Sequence, residues 1–161
     1  SRASQVASGV KSTLSDSAES AIGMVGILIV AHGTLGESLV QCVSHVLGSR
    51  PLNLMQIGVT IHDDPQQILP QAIKLVRQLD QGDGVLVLTD VYGATPSNIA
   101  SKLLIPGRVE GVVGVNLPML VRALTYRKEP LDVVVRKGVS GGVEGVMQMP
   151  AASRGNAATG S

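Results

Sequence analysis

Aromatic side chains are nearly missing from this sequence: two tyrosines, no tryptophan and no phenylalanine, about 1% of its 161 residues. Sugar and single-stranded nucleic acid sites draw on stacking platforms, and this chain has little to build one from. Charge is scarce too, at 16% of residues against the usual quarter. A net charge of +1 without a Lys/Arg cluster leaves no footprint for a phosphate backbone, so nucleic acid is not an expected partner. The single cysteine, Cys42, excludes an internal disulfide and any multi-cysteine metal centre. It stands in an apolar helical pattern and is expected to be buried and inert. The longest apolar run, residues 21–31, is broken by two glycines and too short to span a bilayer. It also lacks the charged lead and cleavage site of a secretory signal, so the expected compartment is cytoplasmic.

What the chain does have is apolar aliphatic bulk, 44% hydrophobic residues, enough for one domain with a real core. Residues 1–23 carry seven serines in the first twenty positions and are read as a disordered extension, with a loose amphipathic helix over 6–14 as the alternative. Met24 directly precedes the first strand, a position suited to a native start. The domain is expected over residues 24–149 and a disordered tail over 150–161.

Residues 26–33, Gly-Ile-Leu-Ile-Val-Ala-His-Gly, are the stretch around which the rest is arranged. An apolar run without alternation reads as a strand buried on both faces. Leu35, Leu39, Cys42, Val43, Val46 and Leu47 then repeat at helical spacing up to Gly48. A less apolar strand over 52–59 follows, nearer an edge. Asp64-Pro65 matches a helix cap followed by proline, with Ile68, Leu69, Ala72, Ile73, Val76 and Leu79 as the inner face. Pro70 fits only if the regular helix begins just before it. Residues 85–90 form a third strand ending in Asp90, and Thr95-Pro96 opens another helix by the same capping logic. Its inner face carries Ile99, Leu103 and Leu104. A fourth strand over 109–115 leads through Asn116 into a helix marked by Leu117, Leu120, Val121 and Leu124. Residues 131–147 contain four glycines that weaken a helix, so a helix, or a strand and a short helix, both stand there. Four strand–helix alternations imply an α/β, doubly wound, mainly parallel four-stranded sheet with helices on both faces. The expected order is 2-1-3-4.

In such a sheet His32 and Asp90 share the carboxyl edge, where ligands bind. Alone, His32 is read as a residue that ends a strand, and Asp90 as a loop residue. With the first and third strands adjacent, the carboxylate fixes the imidazole tautomer and leaves the other ring nitrogen free as nucleophile or base. Helix starts after Gly33 and at Thr95-Pro96 add N–H groups suited to a phosphate. Gly33 clears room beside the ring. Elsewhere His62, Asp63 and Asp64 offer a weaker metal-hydrolase reading, outweighed by turn and cap duty. His45 reads as a surface residue near a helix C-terminus. Gly33-Thr34-Leu35-Gly36 lacks the dinucleotide or Walker spacing, and no serine stands in a nucleophile elbow.

Three blocks now occur in order: Ile-Leu-Ile-Val-Ala-His-Gly at 27–33, Thr-Asp-Val-Tyr-Gly-Ala-Thr-Pro-Ser-Asn at 89–98, and Gly-Val-Asn-Leu-Pro-Met-Leu at 114–120. Over residues 24–149 the chain resembles the mannose-class enzyme IIA domain of the bacterial phosphoenolpyruvate-dependent sugar phosphotransferase system. The resemblance implies that His32 accepts a phosphoryl group from the phosphocarrier protein and passes it to a IIB component, with Asp90 as its carboxylate partner. Thr95 matches a position that is commonly serine near the phosphate. Gly33, Thr34, Gly93, Ala94 and Thr95 are the expected phosphate-binding residues, and a homodimer is expected. Where the family often has Trp or Phe before Gly-Gly-Ser-Pro, this chain has Tyr92-Gly93-Ala94-Thr95-Pro96. No IIB domain follows, so the acceptor is expected on a separate chain, or a purely regulatory role takes the place of transport. The branch serving dihydroxyacetone kinase has a shorter loop after its aspartate and fits less well. No cofactor, no metal and no direct contact with a sugar are expected.

Overall fold

The computed structural model describes residues 23–153; the expectations for residues 1–22 and 154–161 lie outside the described residues. Four strands form one parallel sheet in the order β2-β1-β3-β4, with β1 at Gly26–His32, β2 at Leu54–Val59, β3 at Val85–Thr89 and β4 at Val109–Val113. The helices are α1 (Leu35–Leu47), α2 (Pro65–Leu79), α3 (Thr95–Ser101), α4 (Leu117–Thr125) and α5 (Leu131–Glu144). The expected architecture and strand order are both found.

Pleating divides the central strands between two cores. Ile27, Ile29, Ala31, Leu86 and Leu88 pack beneath α1, α4 and α5, against Leu39, Val43, Leu120 and Val134. Leu28, Val30, Val85 and Val87 pack on the other face against Ile68, Val76 and Leu79 of α2 and Ile99 of α3. Both faces being covered, β1 and β3 need apolar residues at every position. Each wholly buried Leu, Ile or Val contributes about 1.5–3 kcal/mol relative to exposure. The edge strands are less completely buried, and on β4 burial alternates, with Gly111 and Val113 exposed.

Several local expectations are corrected. Cys42 is exposed, because Gly36, Leu39, Val40 and Val43 form the buried stripe of α1. Val46 and Leu47 face outward as well. Pro70 lies inside α2, which begins at Pro65; Asp64 Oδ1 caps it by accepting from the Gln66 N–H at 2.9 Å. Pro70 leaves the Gln66 carbonyl without its helical donor on an exposed face. The cap of α3 is Ala94, so Thr95 is the first helical residue and Pro96 the second. Asn116 caps α4, its Oδ1 accepting from the Met119 N–H at 2.9 Å. Residues 131–144 are wholly helical. The glycines of α5 serve close approach to α4: a Cβ on Gly141 would stand 2.7 Å from Arg122 Cβ, and one on Gly142 2.8 Å from Met119 Cε.

At the amino ends of β1 and β2 stands Arg127, 7% exposed. It donates to the carbonyls of Val25 at 2.9 and 3.1 Å, of Asn53 at 2.8 Å, and of Leu52. Burial pushes its pKa down to about 10, so it is still charged at neutral pH. A charged donor set spent on carbonyls ties the α4–α5 connection to both strand starts.

Candidate functional site: the carboxyl edge of β1 and β3

β1 and β3 pair in register from Gly26 with Val85 to Val30 with Thr89. His32 and Asp90 therefore leave adjacent strands at the same edge. His32 Nδ1 lies 2.7 Å from Asp90 Oδ2, and the same oxygen accepts the His32 backbone N–H at 3.0 Å. One carboxylate oxygen thus continues the sheet ladder and holds the ring. The other, Oδ1, accepts the Val91 N–H at 3.0 Å. Burial tends to raise the carboxyl pKa, but hydrogen bonds from His32, through backbone and ring, and from the Asp90 and Val91 amides outweigh it. The net effect lowers it below the ordinary value. An ionised Asp90 accepts, so Nδ1 carries the proton and Nε2 keeps its lone pair. The imidazole side chain is 53% exposed against 10% for Asp90: the free nitrogen belongs to the surface while its anchor is fixed.

Gly33 follows with a φ of +52° and donates its N–H to the Val59 carbonyl at 2.9 Å. A Cβ there would meet only open space, so glycine is required by the left-handed backbone rather than by crowding at the ring. The crowding is across the sheet at Gly58, where a Cβ would collide with the Gly33 carbonyl. Thr34 caps α1 through its carbonyl without a side-chain cap bond, which leaves first-turn N–H groups of α1 unspent. Gly93, at φ +84°, turns the loop after Asp90 toward Ala94 and Thr95; Thr95 is exposed and Ala94 half-buried. With seven residues, α3 offers individual N–H groups more than an accumulated dipole.

Ser97 is the residue that sequence reasoning missed. It is 8% exposed, and its Oγ accepts the Gly93 N–H at 2.9 Å and donates to the Ala94 carbonyl at 3.0 Å. One hydroxyl thereby sets the shape of the loop carrying Gly93 to Thr95. A serine in a first helical turn, four residues after a glycine, was the available signal.

The weaker constellation is spent on local structure. Asp63 Oδ2 accepts from the Thr60 N–H and hydroxyl at 2.7 and 2.9 Å. These bonds, the backbone one first, hold its carboxyl below the ordinary value. Asp64 is the α2 cap. Among the described residues no group of three His, Cys, Asp or Glu side chains is placed to hold a metal ion. None of the described helices is long and apolar enough to cross a membrane.

A family model described as PTS system fructose IIA component (EIIA-man) matches residues 26–133, from β1 into the first turn of α5. The chain belongs to this family. The IIA chain is 31% identical over 130 residues to the mannose-specific EIIAB component of the phosphotransferase system of Escherichia coli K12, covering 79% of this chain and 40% of that protein. It therefore spans about two fifths of that relative's length. It is 28% identical over 102 residues to the transcriptional regulatory protein LevR of Bacillus subtilis, covering 63% of this chain and 10% of that one. Among solved structures, phosphotransferase system component EIIA from Streptococcus agalactiae superposes with a TM-score of 0.70 at 26% identity, covering 78% of this chain and 97% of that one. Residues 27–33, 89–98 and 114–120 all fall within the matched residues.

Proposed function

We propose that this IIA chain is a cytoplasmic phosphoryl-transfer intermediate that carries the group on His32 Nε2. The observation that supports this most is the 2.7 Å contact between Nδ1 and Asp90, which fixes the tautomer and turns an exposed lone pair outward. The donor is the histidine-phosphorylated phosphocarrier protein, and the acceptor is a IIB component. The Nε2 lone pair attacks phosphorus in line as the P–N bond to the donor histidine breaks, and the bonding pair returns to the donor ring. The Nδ1 proton stays with this ring, donated to Asp90, whose negative charge offsets the positive charge on the phosphorylated imidazole.

Thr34 on one side, and Ala94 and Thr95 on the other, supply the proposed phosphate cradle from N–H groups at the two helix starts and the Thr95 hydroxyl; the Gly33 N–H is given to the Val59 carbonyl, so Gly33 contributes its left-handed turn. The Gly93 N–H is already given to Ser97, so Gly93 contributes the turn rather than a donor. A homodimer fits the apolar side chains left uncovered at the end of α5 and beyond it: Val143, Val146, Met147 and Met149 are each at least 70% exposed.

Incubation of the full chain with phosphoenolpyruvate, enzyme I and phosphocarrier protein is expected to add one acid-labile phosphoryl group, seen by intact-mass spectrometry. His32→Ala is expected to stay unmodified; labelling of that variant would remove His32 from the mechanism. A second reading, a regulatory phosphoprotein that controls a partner without transport, is favoured by the similarity to LevR, a transcriptional regulator by name. Gene neighbourhood separates the two: IIB, IIC and IID partners support transport, and their absence supports regulation.

A further inference from the structure

The loop between β3 and α3 is held by hydrogen bonds rather than by packing. Val91, Tyr92 and Gly93 are all exposed, and Gly93 brings the backbone freedom of a glycine at φ +84°. At one end Asp90 Oδ1 accepts the Val91 N–H at 3.0 Å. At the other, Ser97 Oγ accepts the Gly93 N–H at 2.9 Å. Tyr92 stands between these two bonds and is 84% exposed.

Ser97 takes over a duty that the cap residue cannot perform. Ala94 holds the cap position of α3 without a side-chain cap bond, and Pro96, the second helical residue, has no N–H. Ser97, the third, reaches back over the helix start, as the third residue of a capping box does. Its hydroxyl donates to the Ala94 carbonyl at 3.0 Å, and the Asn98 N–H donates to the same oxygen at 3.0 Å. A trans peptide is planar, with its C=O and N–H directed oppositely. Drawing the Ala94 carbonyl into α3 therefore turns the Thr95 N–H outward, to the carboxyl edge where His32 stands. Ser97 itself is 8% exposed and its one proton is spent on Ala94, so it donates nothing to a bound group.

We infer that Ser97 is a positioning residue for phosphoryl transfer, fixing Gly93 to Thr95 so that Thr95 meets the phosphoryl group on His32. This rests on the reading of His32 as the carrier. Without the hydroxyl, the loop must be ordered anew in each transfer. That slows the transfer step and leaves the encounter with the donor protein unchanged. Ser101 provides the control. It is exposed at the far end of the same helix, and its Oγ donates to the Asn98 carbonyl at 2.8 Å. This is the same bond to the third residue back, made away from the loop.

Two measurements on the full chain test the inference. Amide hydrogen exchange on the unphosphorylated protein needs no transfer. In Ser97→Ala the Gly93 amide is expected to exchange at least about fivefold faster, while Val91, held by Asp90, keeps its rate. An unchanged Gly93 overturns the inference. Rapid-quench transfer from the phosphorylated phosphocarrier protein then gives the rate at saturation and the KM. Ser97→Ala is expected to lower the saturating rate about fivefold to tenfold, the kinetic equivalent of one hydrogen bond, with KM within about twofold of the parent. Ser101→Ala is expected to stay within about twofold in both. Adding Thr95→Ala to Ser97→Ala is expected to cost less than about twofold more, because the two residues act as one unit. If the parent accepts no phosphoryl group, the carrier reading falls and this inference falls with it. If the parent is labelled, four results each overturn the positioning role alone: Ser97→Ala transferring at the parent rate, slowing only through KM, slowing no more than Ser101→Ala, or leaving the full cost of Thr95→Ala.

Discussion

His32 and Arg127 stand at opposite ends of β1, and each is held by hydrogen bonds to the strands it touches. Arg127 is buried and gives its donors to the carbonyls of Val25, Leu52 and Asn53. His32 is half-exposed and gives one ring nitrogen to Asp90. The first has nothing left with which to react; the second keeps a lone pair turned to solvent on a ring that cannot rotate freely. Fixation is common to both, and chemistry belongs to the side chain with a free position.

Substitutions can break this contrast. The largest effect is expected for His32→Ala, which abolishes phosphoryl acceptance yet lowers the thermal midpoint only slightly, because a half-exposed side chain with one hydrogen bond to Asp90 is removed. Calorimetry beside the labelling assay separates the two outcomes. Arg127→Met is expected to do the reverse. It leaves the Val25 and Leu52 carbonyls without that donor, while Asn53 keeps the Ile27 N–H; at about 1 kcal/mol each, stability falls by about 2 kcal/mol in denaturant titration, with phosphorylation of the folded fraction retained. If Arg127→Met abolished acceptance at full stability, the contrast would collapse.

Asp90→Asn keeps the size of the anchor and removes its charge. Phosphoryl transfer is expected to slow by about a hundredfold in rapid-quench kinetics, because the ring loses its fixed tautomer and its counter-charge. Thr95→Ala removes one donor from the proposed cradle, with an expected loss of about tenfold.

The smallest effect concerns pH. A carboxyl whose folded pKa is lowered contributes above its unfolded value and loses that contribution only as pH falls through the folded one. The Asp90 clamp is therefore intact throughout the neutral range, and the carboxyl carbon is expected to titrate below the ordinary Asp value of about 3.9. In His32→Ala the midpoint is expected to move upward, as the ring hydrogen bond is lost while the backbone one is kept.

The sheet was legible in the sequence because β1 and β3 are apolar at every position, a pattern only a doubly covered parallel strand requires. The pairing of His32 with Asp90 followed once those strands were taken as neighbours. Less was legible where one residue serves two constraints. Cys42 shares the spacing of its helix's apolar residues but turns outward, because Gly36 lies directly on the sheet and sets the rotation of α1: a Cβ on Gly36 would meet Gln56 Oε1 at 3.0 Å. The glycines of α5 looked like helix breakers, and their reason lies in the preceding helix, α4, which packs closely on them. Thr95 looked like a cap, but Ala94 takes that position, freeing the Thr95 hydroxyl for the phosphate cradle proposed above. Arg127 stands in no motif, and Ser97 stands within one without its role showing there; only their partners give them meaning.

The central claim is that phosphate is carried on Nε2 of His32 while Nδ1 stays bonded to Asp90. NMR of the uniformly ¹⁵N-labelled phosphoprotein tests it most directly. The account predicts phosphorus–nitrogen coupling at Nε2 of His32, together with an Nδ1 proton that is slow to exchange. Coupling at Nδ1, or a phosphoryl group on His45 or His62, would contradict it.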